Sequence, residues 1–170
     1  RGNWDQSEAS IGGYIGWSAE SGGWVNAQLS YTSLDFDIER QVPLGPALRT
    51  HGGSTDGSSL ALAVQGGWEF GEGALRHGPV IGVVAQRVEV DGFAESDPDL
   101  STSLAYLDQE FDSTVGSAGW QLSYAIHDTL APYARLTIDR EFEDEAAQAF
   151  ARSQSIAGSL PYAVPGVEYD

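Results

Sequence analysis

The 170-residue chain contains no cysteine. That excludes a disulfide scaffold and thiolate metal sites. No run of about 18 apolar residues occurs, so no membrane-spanning helix is predicted. Basic residues are scarce, 8 against 25 acidic, for a formal net charge of -17. Such a field repels a phosphate backbone, and nucleic acid is not an expected partner. There is no methionine, and the opening Arg1-Gly2-Asn3-Trp4-Asp5 is polar, without an initiator or a signal-peptide pattern. An excised or processed piece is expected. Catalytic signatures are missing as well. Gly116-Ser117-Ala118-Gly119 misses the spacing of a nucleophile elbow and falls inside a strand pattern. Gly71-Glu72-Gly73 has no following helix, as a phosphate loop would require. His51, His77 and His127 fall in predicted loops or turns and read as solvated, and no His-x-x-x-His spacing exists. No cofactor, metal or catalytic residue is expected.

What the chain does have is period two. In the stretch Ser58–Phe70, Leu60, Leu62, Val64, Gly66, Trp68 and Phe70 alternate with Ser59, Ala61, Ala63, Gln65, Gly67 and Glu69. This is a strand with one apolar and one small or polar face. A glycine-rich turn leads to a second extended run from Pro79 to Val90. Each arm has the roughly 9–11 residues a tilted strand needs to cross a bilayer. Further strands are predicted over Ala9–Glu20, Trp24–Ile38, about Glu110–Ile126 and Leu130–Arg140. Residues 1–8 read as a polar lead-in. In the second strand Val25, Ala27, Leu29 and Tyr31 share a face, but Leu34, Phe36 and Ile38 follow on the other parity. A bulge, or the end of a membrane-facing part, accounts for the change. Within Pro79–Val90, Ile81, Val83 and Ala85 oppose Val88 and Val90, which leaves the buried face of that strand open between two parities.

Connections alternate: short at 21–23, long at 39–57, short at 71–78, long at 92–107, short at 127–129, long from 141. Short turns at one end and long loops at the other suit an outer-membrane barrel. Trp17, Trp24, Tyr31, Trp68, Phe70, Trp120 and Tyr124 fall near strand ends, where interfacial girdles lie. The fold predicted is an all-β, antiparallel up-and-down transmembrane barrel, about six long strands of a larger one, with residues 1–170 a single partial domain. Val25, Leu29, Leu62, Val64, Leu122 and Leu136 are the expected lipid-facing residues. Gln28, Gln65, Gln121, Arg135 and Asp139, and with them Arg87, are the expected lumen-facing polar residues, lining the passage or holding a plug. Phe142–Arg152 reads as a short helix. Asp97, Asp99 and the group Asp139, Glu141, Glu143, Asp144 and Glu145 are candidates for divalent cations bridging lipopolysaccharide; they read rather as solvated charge. The alternative is a soluble or surface β-sandwich serving as a binding module.

Several blocks are similar to the translocator β-domain of autotransporters. They are Gly22-Gly23-Trp24-Val25-Asn26-Ala27-Gln28-Leu29-Ser30-Tyr31, then Leu34-Asp35-Phe36-Asp37-Ile38-Glu39-Arg40. Thr55-Asp56-Gly57 leading into Leu60-Ala61-Leu62, and Val90-Asp91-Gly92-Phe93 before Glu95, follow. Pro132-Tyr133-Ala134-Arg135-Leu136 and Arg140-Glu141-Phe142-Glu143-Asp144 complete the set. The resemblance is nearest to autotransporter esterases of the GDSL type and spans about 9–145. It implies an anchor in the outer membrane of a Gram-negative bacterium that carries an N-terminal secreted passenger in cis. The implied partners are outer-membrane lipid, lipopolysaccharide and the barrel-assembly machinery. It also implies that this chain matches only the middle of such a barrel, without the terminal strand and without the passenger that carries the Gly-Asp-Ser-Leu nucleophile.

Overall fold

A computed structural model describes residues 2–71, 73–127, 129–143, 149–156 and 158–164. Among the described residues there are nine strands: β1 (Gly2–Ser18), β2 (Gly23–Leu44), β3 (Ala47–Trp68), β4 (Leu75–Val90), β5 (Leu104–Tyr106), β6 (Gln109–Tyr124), β7 (Tyr133–Glu141), β8 (Ala149–Ser153) and β9 (Tyr162–Val164). Six of them form one sheet in the order β1-β2-β3-β4-β6-β7, and β5-β8-β9 form a second, small one. All pairings are antiparallel. The up-and-down order of six long strands is the one expected. Among the described residues the large sheet is open, with β1 and β7 at its edges.

The strands are longer than their apolar patterns. The polar lead-in is strand, because Gly2 to Glu8 pair with Arg40 to Leu34 of β2. The segment 39–57 is not a loop. β2 runs on to Leu44 and β3 starts at Ala47, with Leu44 opposite Ala47. Gly45, at φ 65°, supplies the left-handed residue this tight reversal needs. No bulge interrupts β2, since its register is continuous from Gly23 to Leu44 against β3. The change of apolar parity after Tyr31 is therefore chemical: the chain keeps its alternation while the apolar residues move to the opposite face. Gly92–Leu107 is only partly loop, for it contains β5 and a run, 91–96, hydrogen-bonded along β3 through Asp91 N–H to Asp56 O (2.8 Å) and Ser96 N–H to Gly52 O (2.8 Å). The helix expected over Phe142–Arg152 is not formed where it is described: Ala149–Ser153 is strand β8, and 144–148 lie outside the described residues.

The large sheet buries little. Leu136 is 80% exposed and Ile138 82%. Most of the close packing lies at the end where β2 and β3 overshoot their neighbours, beside the small sheet; at the other end Val80, between Gly67 and Gly119, is 3% exposed.

Candidate functional site: a two-faced sheet and its cap

Strand alternation and register assign every side chain of the large sheet to one of two faces. On the first face Val25 stands beside Trp17 of β1 and Gly66 of β3, Leu29 beside Gly13 and Leu62, and Tyr31 beside Ile11 and Leu60. The row continues as Val64–Val83–Gly116 and Gly66–Ile81–Ala118–Ile138, with Trp120–Leu136 and Leu122–Ala134 below. The open parity of β4 resolves by register: Ile81, Val83 and Ala85 share the face of Leu62, and Val88 and Val90 the other. One continuous apolar band thus crosses all six strands. Burying a Leu or Ile is worth about 1.5–3 kcal/mol, so a band of this extent requires an apolar partner.

Beyond the band the same face turns acidic, with Asp35, Asp37, Glu39, Asp56, Glu89, Glu110 and Asp112 at successive alternate positions. Arg87 stands among them and not with the expected lumen-facing set, because the register puts it beside Leu60; it pairs with Asp112 (2.8 Å) and Glu110 (3.2 Å).

The second face carries Gln28, Gln65, Gln121, Arg135 and Asp139, together with Asn26, Ser30, Thr32, Gln86 and Ser117. Arg135 donates from Nη1 to Gln65 Oε1 (3.1 Å) and from Nη2 to Gln121 Oε1 (3.0 Å). β7 and β3 are separated by β4 and β6, a flat span of about 14 Å at the usual strand spacing. The two side chains meet because this face is the inside of a curve, and because its floor, Gly82 and Ser117, is small. Of the aromatics expected in interfacial girdles, Trp24 lies on this concave face, its ring over Gly67, where a Cβ would meet it at 2.9 Å. His77, expected to be solvated, stacks on Trp120 at 5.9 Å. His127 closes a turn against Leu130 and accepts or donates a hydrogen bond with Thr129 Oγ1 (3.0 Å).

At the overshooting end the concave face is apolar, with Leu34, Phe36 and Ile38, and it is covered. Residues 91–108 and the β5-β8-β9 sheet fold onto it as a cap. Phe93 fills the space left by Gly53, where an added Cβ would lie 2.7 Å from its ring. Phe93 also stacks on Tyr106 at 4.7 Å. His51 is not solvated. It is 1% exposed, between Ser96 O (3.2 Å from Nδ1) and Thr102 Oγ1 (2.8 Å from Nε2). Beside it on β2, Arg40 grips Glu95 with two hydrogen bonds, Nε to Oε1 (2.6 Å) and Nη2 to Oε2 (2.5 Å), and donates to Thr102 O (2.6 Å). Leu104 N–H donates to Glu95 Oε2 (2.9 Å). Gln154 Nε2 lies within 2.8 Å of Glu95 O and Ser103 Oγ and 2.9 Å of Leu104 O. Burial pushes the Glu95 carboxyl up, but the Arg40 hydrogen bonds, the Leu104 amide and the nearby cationic charge outweigh it, and the net shift is downward. The same carboxylate holds the Arg40 guanidinium above its ordinary range. None of these partners is within 40 residues of Arg40 in sequence except His51, so spacing could not have found them. The sole local signal was the parity change at Leu34.

Among the described residues no three His, Cys, Asp or Glu side chains converge as a metal site; Asp144 and Glu145 lie outside them. Glu141 is held to about 2 by Ser113 and by the amides of Glu143, Thr114 and Phe142, an anchored surface carboxylate.

A prediction follows from the glycine under the cap. Gly53→Val should undock Phe93 and raise protease cleavage within 91–108, with the pairing of β2 and β3 intact. Unchanged cleavage would show that the cap does not depend on this contact.

The autotransporter beta-domain family model matches residues 1–170. The chain is 29% identical over 134 residues to Lipase 1 of Photorhabdus luminescens, 78% of this chain and 20% of that protein. It is 30% identical over 140 residues to Esterase EstA of Pseudomonas aeruginosa, 80% of this chain and 22% of that protein. The chain therefore spans about a fifth of the length of these relatives. The translocator domain of the autotransporter NalP from Neisseria meningitidis superposes with a TM-score of 0.67 at 20% identity, covering 89% of this chain and 56% of that one. The likeness is one of fold. The chain belongs to the autotransporter beta-domain family, the outer-membrane translocator domains of autotransporters.

Proposed function

We propose that the six-stranded sheet is the wall of a barrel in the outer membrane of a Gram-negative bacterium, that it carries a passenger in cis, and that the passenger is an esterase of the GDSL type. The apolar band, with Val25, Leu29, Leu62, Val64, Leu122 and Leu136, meets acyl chains. The concave face, with Gln28, Gln65, Gln121, Arg135 and Asp139, lines a lumen. The acidic margin beyond the band lies at the level of lipopolysaccharide headgroups, and the barrel-assembly machinery inserts the whole. The observation that carries this reading is the continuous apolar band on one face of all six strands, opposite a face of amides and hydroxyls. The names of Lipase 1 and Esterase EstA support the passenger's chemistry. No ester chemistry is assigned to the chain itself. Two measurements test this. The complete gene product should fractionate with the outer membrane and need detergent to stay monomeric. The purified 170-residue chain should be blank with a short-chain ester. Clean monomeric behaviour in plain buffer would favour a β-sandwich module. Turnover lost on changing one serine of this chain would make it an enzyme.

A further inference from the structure

The apolar band ends in a sloping edge toward the acidic margin. Its last apolar members are Tyr31 on β2, Leu60 on β3, Ala85 on β4 and Ile138 on β7; the next outward residues are Ser33, Ser58, Arg87 and Arg140. Tyr31 is level in register with Leu60, whereas Ile138 is level with Ala118, Ile81 and Gly66. Leu60 to Gly66 is about 20 Å of strand, and β2 to β7 is four strand intervals of about 4.8 Å. The slope is roughly 45°, the tilt of strands in a membrane barrel, so this edge runs level with a bilayer surface. Arg87 and Arg140 both stand on it, and they are not alike. Arg87 is taken up by Asp112 and Glu110. Arg140 has no carboxylate within ion-pair distance among the described residues. Its guanidinium lies over the Phe142 ring, 5.6 Å from the centroid. That ring sits on Gly116, where an added Cβ would lie 2.7 Å from it, and the Phe142 N–H is fixed on Thr114 O (2.9 Å). Of the carboxylates beside Arg140 in sequence, Asp139 and Glu141 belong to the concave face, and Glu143 Oε1 accepts from Thr114 Oγ1 (3.5 Å). A ring beneath the guanidinium plane leaves the N–H edge free, and that edge is a fork that fits a phosphate.

We propose that Arg140, on its Phe142 platform, is a binding site for the phosphate of an outer-leaflet glycolipid, the lipid A part of lipopolysaccharide. The inference rests on the barrel reading above and names one residue and one chemistry at the upper edge of the band. The complete gene product, purified in detergent, is titrated with bisphosphorylated lipid A, with the same lipid stripped of its phosphates, and with inorganic phosphate as competitor. Native mass spectrometry reads the bound lipid. The wild type should hold the phosphorylated lipid and release the stripped one. Arg140→Gln should weaken retention about tenfold, the loss of one charge-assisted pair. Arg140→Lys, which keeps the charge but loses the fork, should lie between the two. Heat-modifiable gel mobility shows whether each variant is assembled; should Arg140→Gln assemble poorly, Phe142→Ala removes the platform alone and should also weaken retention. Undiminished retention by the assembled variants overturns the proposal. So does equal retention of the stripped lipid, which would leave the apolar band to hold it. Displacement by inorganic phosphate at equal concentration would make Arg140 a free-anion site and overturn the lipid assignment. A wild-type product that stays monomeric without detergent would sink the barrel reading first.

Discussion

Leu62→Arg and Leu136→Arg should each weaken membrane assembly by about 2–4 kcal/mol, the range for a cation on the lipid face near the midplane of a barrel. Both residues stand mid-band, Leu62 opposite Leu29 and Leu136 opposite Trp120. Neither can turn its side chain inward without breaking strand register. Gln28→Arg, one residue from Leu29 on β2 but on the concave face, should assemble normally. Gln65 is a poorer control than its polarity suggests, because its Oε1 accepts from Arg135 and a second guanidinium there would repel the first. Urea titration of the protein folded into lipid vesicles measures the difference. Equal damage from Leu62→Arg and Gln28→Arg would mean that both faces meet the same environment, and the barrel reading would fall.

What could be read from the sequence was what the membrane imposes. A strand with lipid on one side must alternate, so Leu60, Leu62 and Val64 against Ala61, Ala63 and Gln65 reveal their own structure. Outside the band that constraint ends. Along 39–57, Pro43, Pro46 and the glycines resemble a loop, although the segment is the longest hairpin of the sheet. Its glycines are there to be packed upon: Gly53 by Phe93, and Gly57 near the ring of Phe36, 3.6 Å from its would-be Cβ. The alternation continues in disguise, with Asp35, Asp37 and Glu39 facing out and Leu34, Phe36 and Ile38 facing in. Its inversion marked a second, protein-made core, and at sequence level this was indistinguishable from a bulge. The cap was out of reach because its contacts are non-local. β5 pairs with β8 across more than 40 residues, and Arg40 meets Glu95 across 55. The five residues expected to face a lumen, Gln65, Gln121, Arg135, Gln28 and Asp139, were picked out by polarity and alternation, and the register puts them on one face. That the first three form one hydrogen-bonded group depends on curvature, which no local pattern encodes.

Arg40→Met should loosen the cap by about 3 kcal/mol, near the lower end for a buried pair that loses one partner. Glu95→Gln should cost less. The asymmetry follows from burial: the Glu95 side chain is 3% exposed and that of Arg40 30%. Without Arg40 the carboxylate stays desolvated, with Leu104 N–H as its remaining donor. Without the carboxylate the guanidinium can turn toward water and keep its bond to Thr102 O. Replacing both, Arg40→Met with Glu95→Leu, should restore part of the loss, since no buried charge then remains. The same logic fixes the pH dependence. The folded Glu95 carboxyl lies below its ordinary value, so its contribution is fully present above about pH 4.3, the unfolded value, and drains as pH falls through the lowered folded value. Acid should therefore release the cap of the wild type. In Arg40→Met both Arg40 contributions are gone and burial is opposed only by the Leu104 amide and His51, so the acid release of the cap should be blunted. Hydrogen exchange at the amides of Glu95 and Tyr106, which bond to Leu104 O and Phe93 O, reads cap opening directly. Equal exchange in wild type and Arg40→Met at pH 7, or a shared pH profile, would show that the cap is held by its apolar contacts and not by this pair.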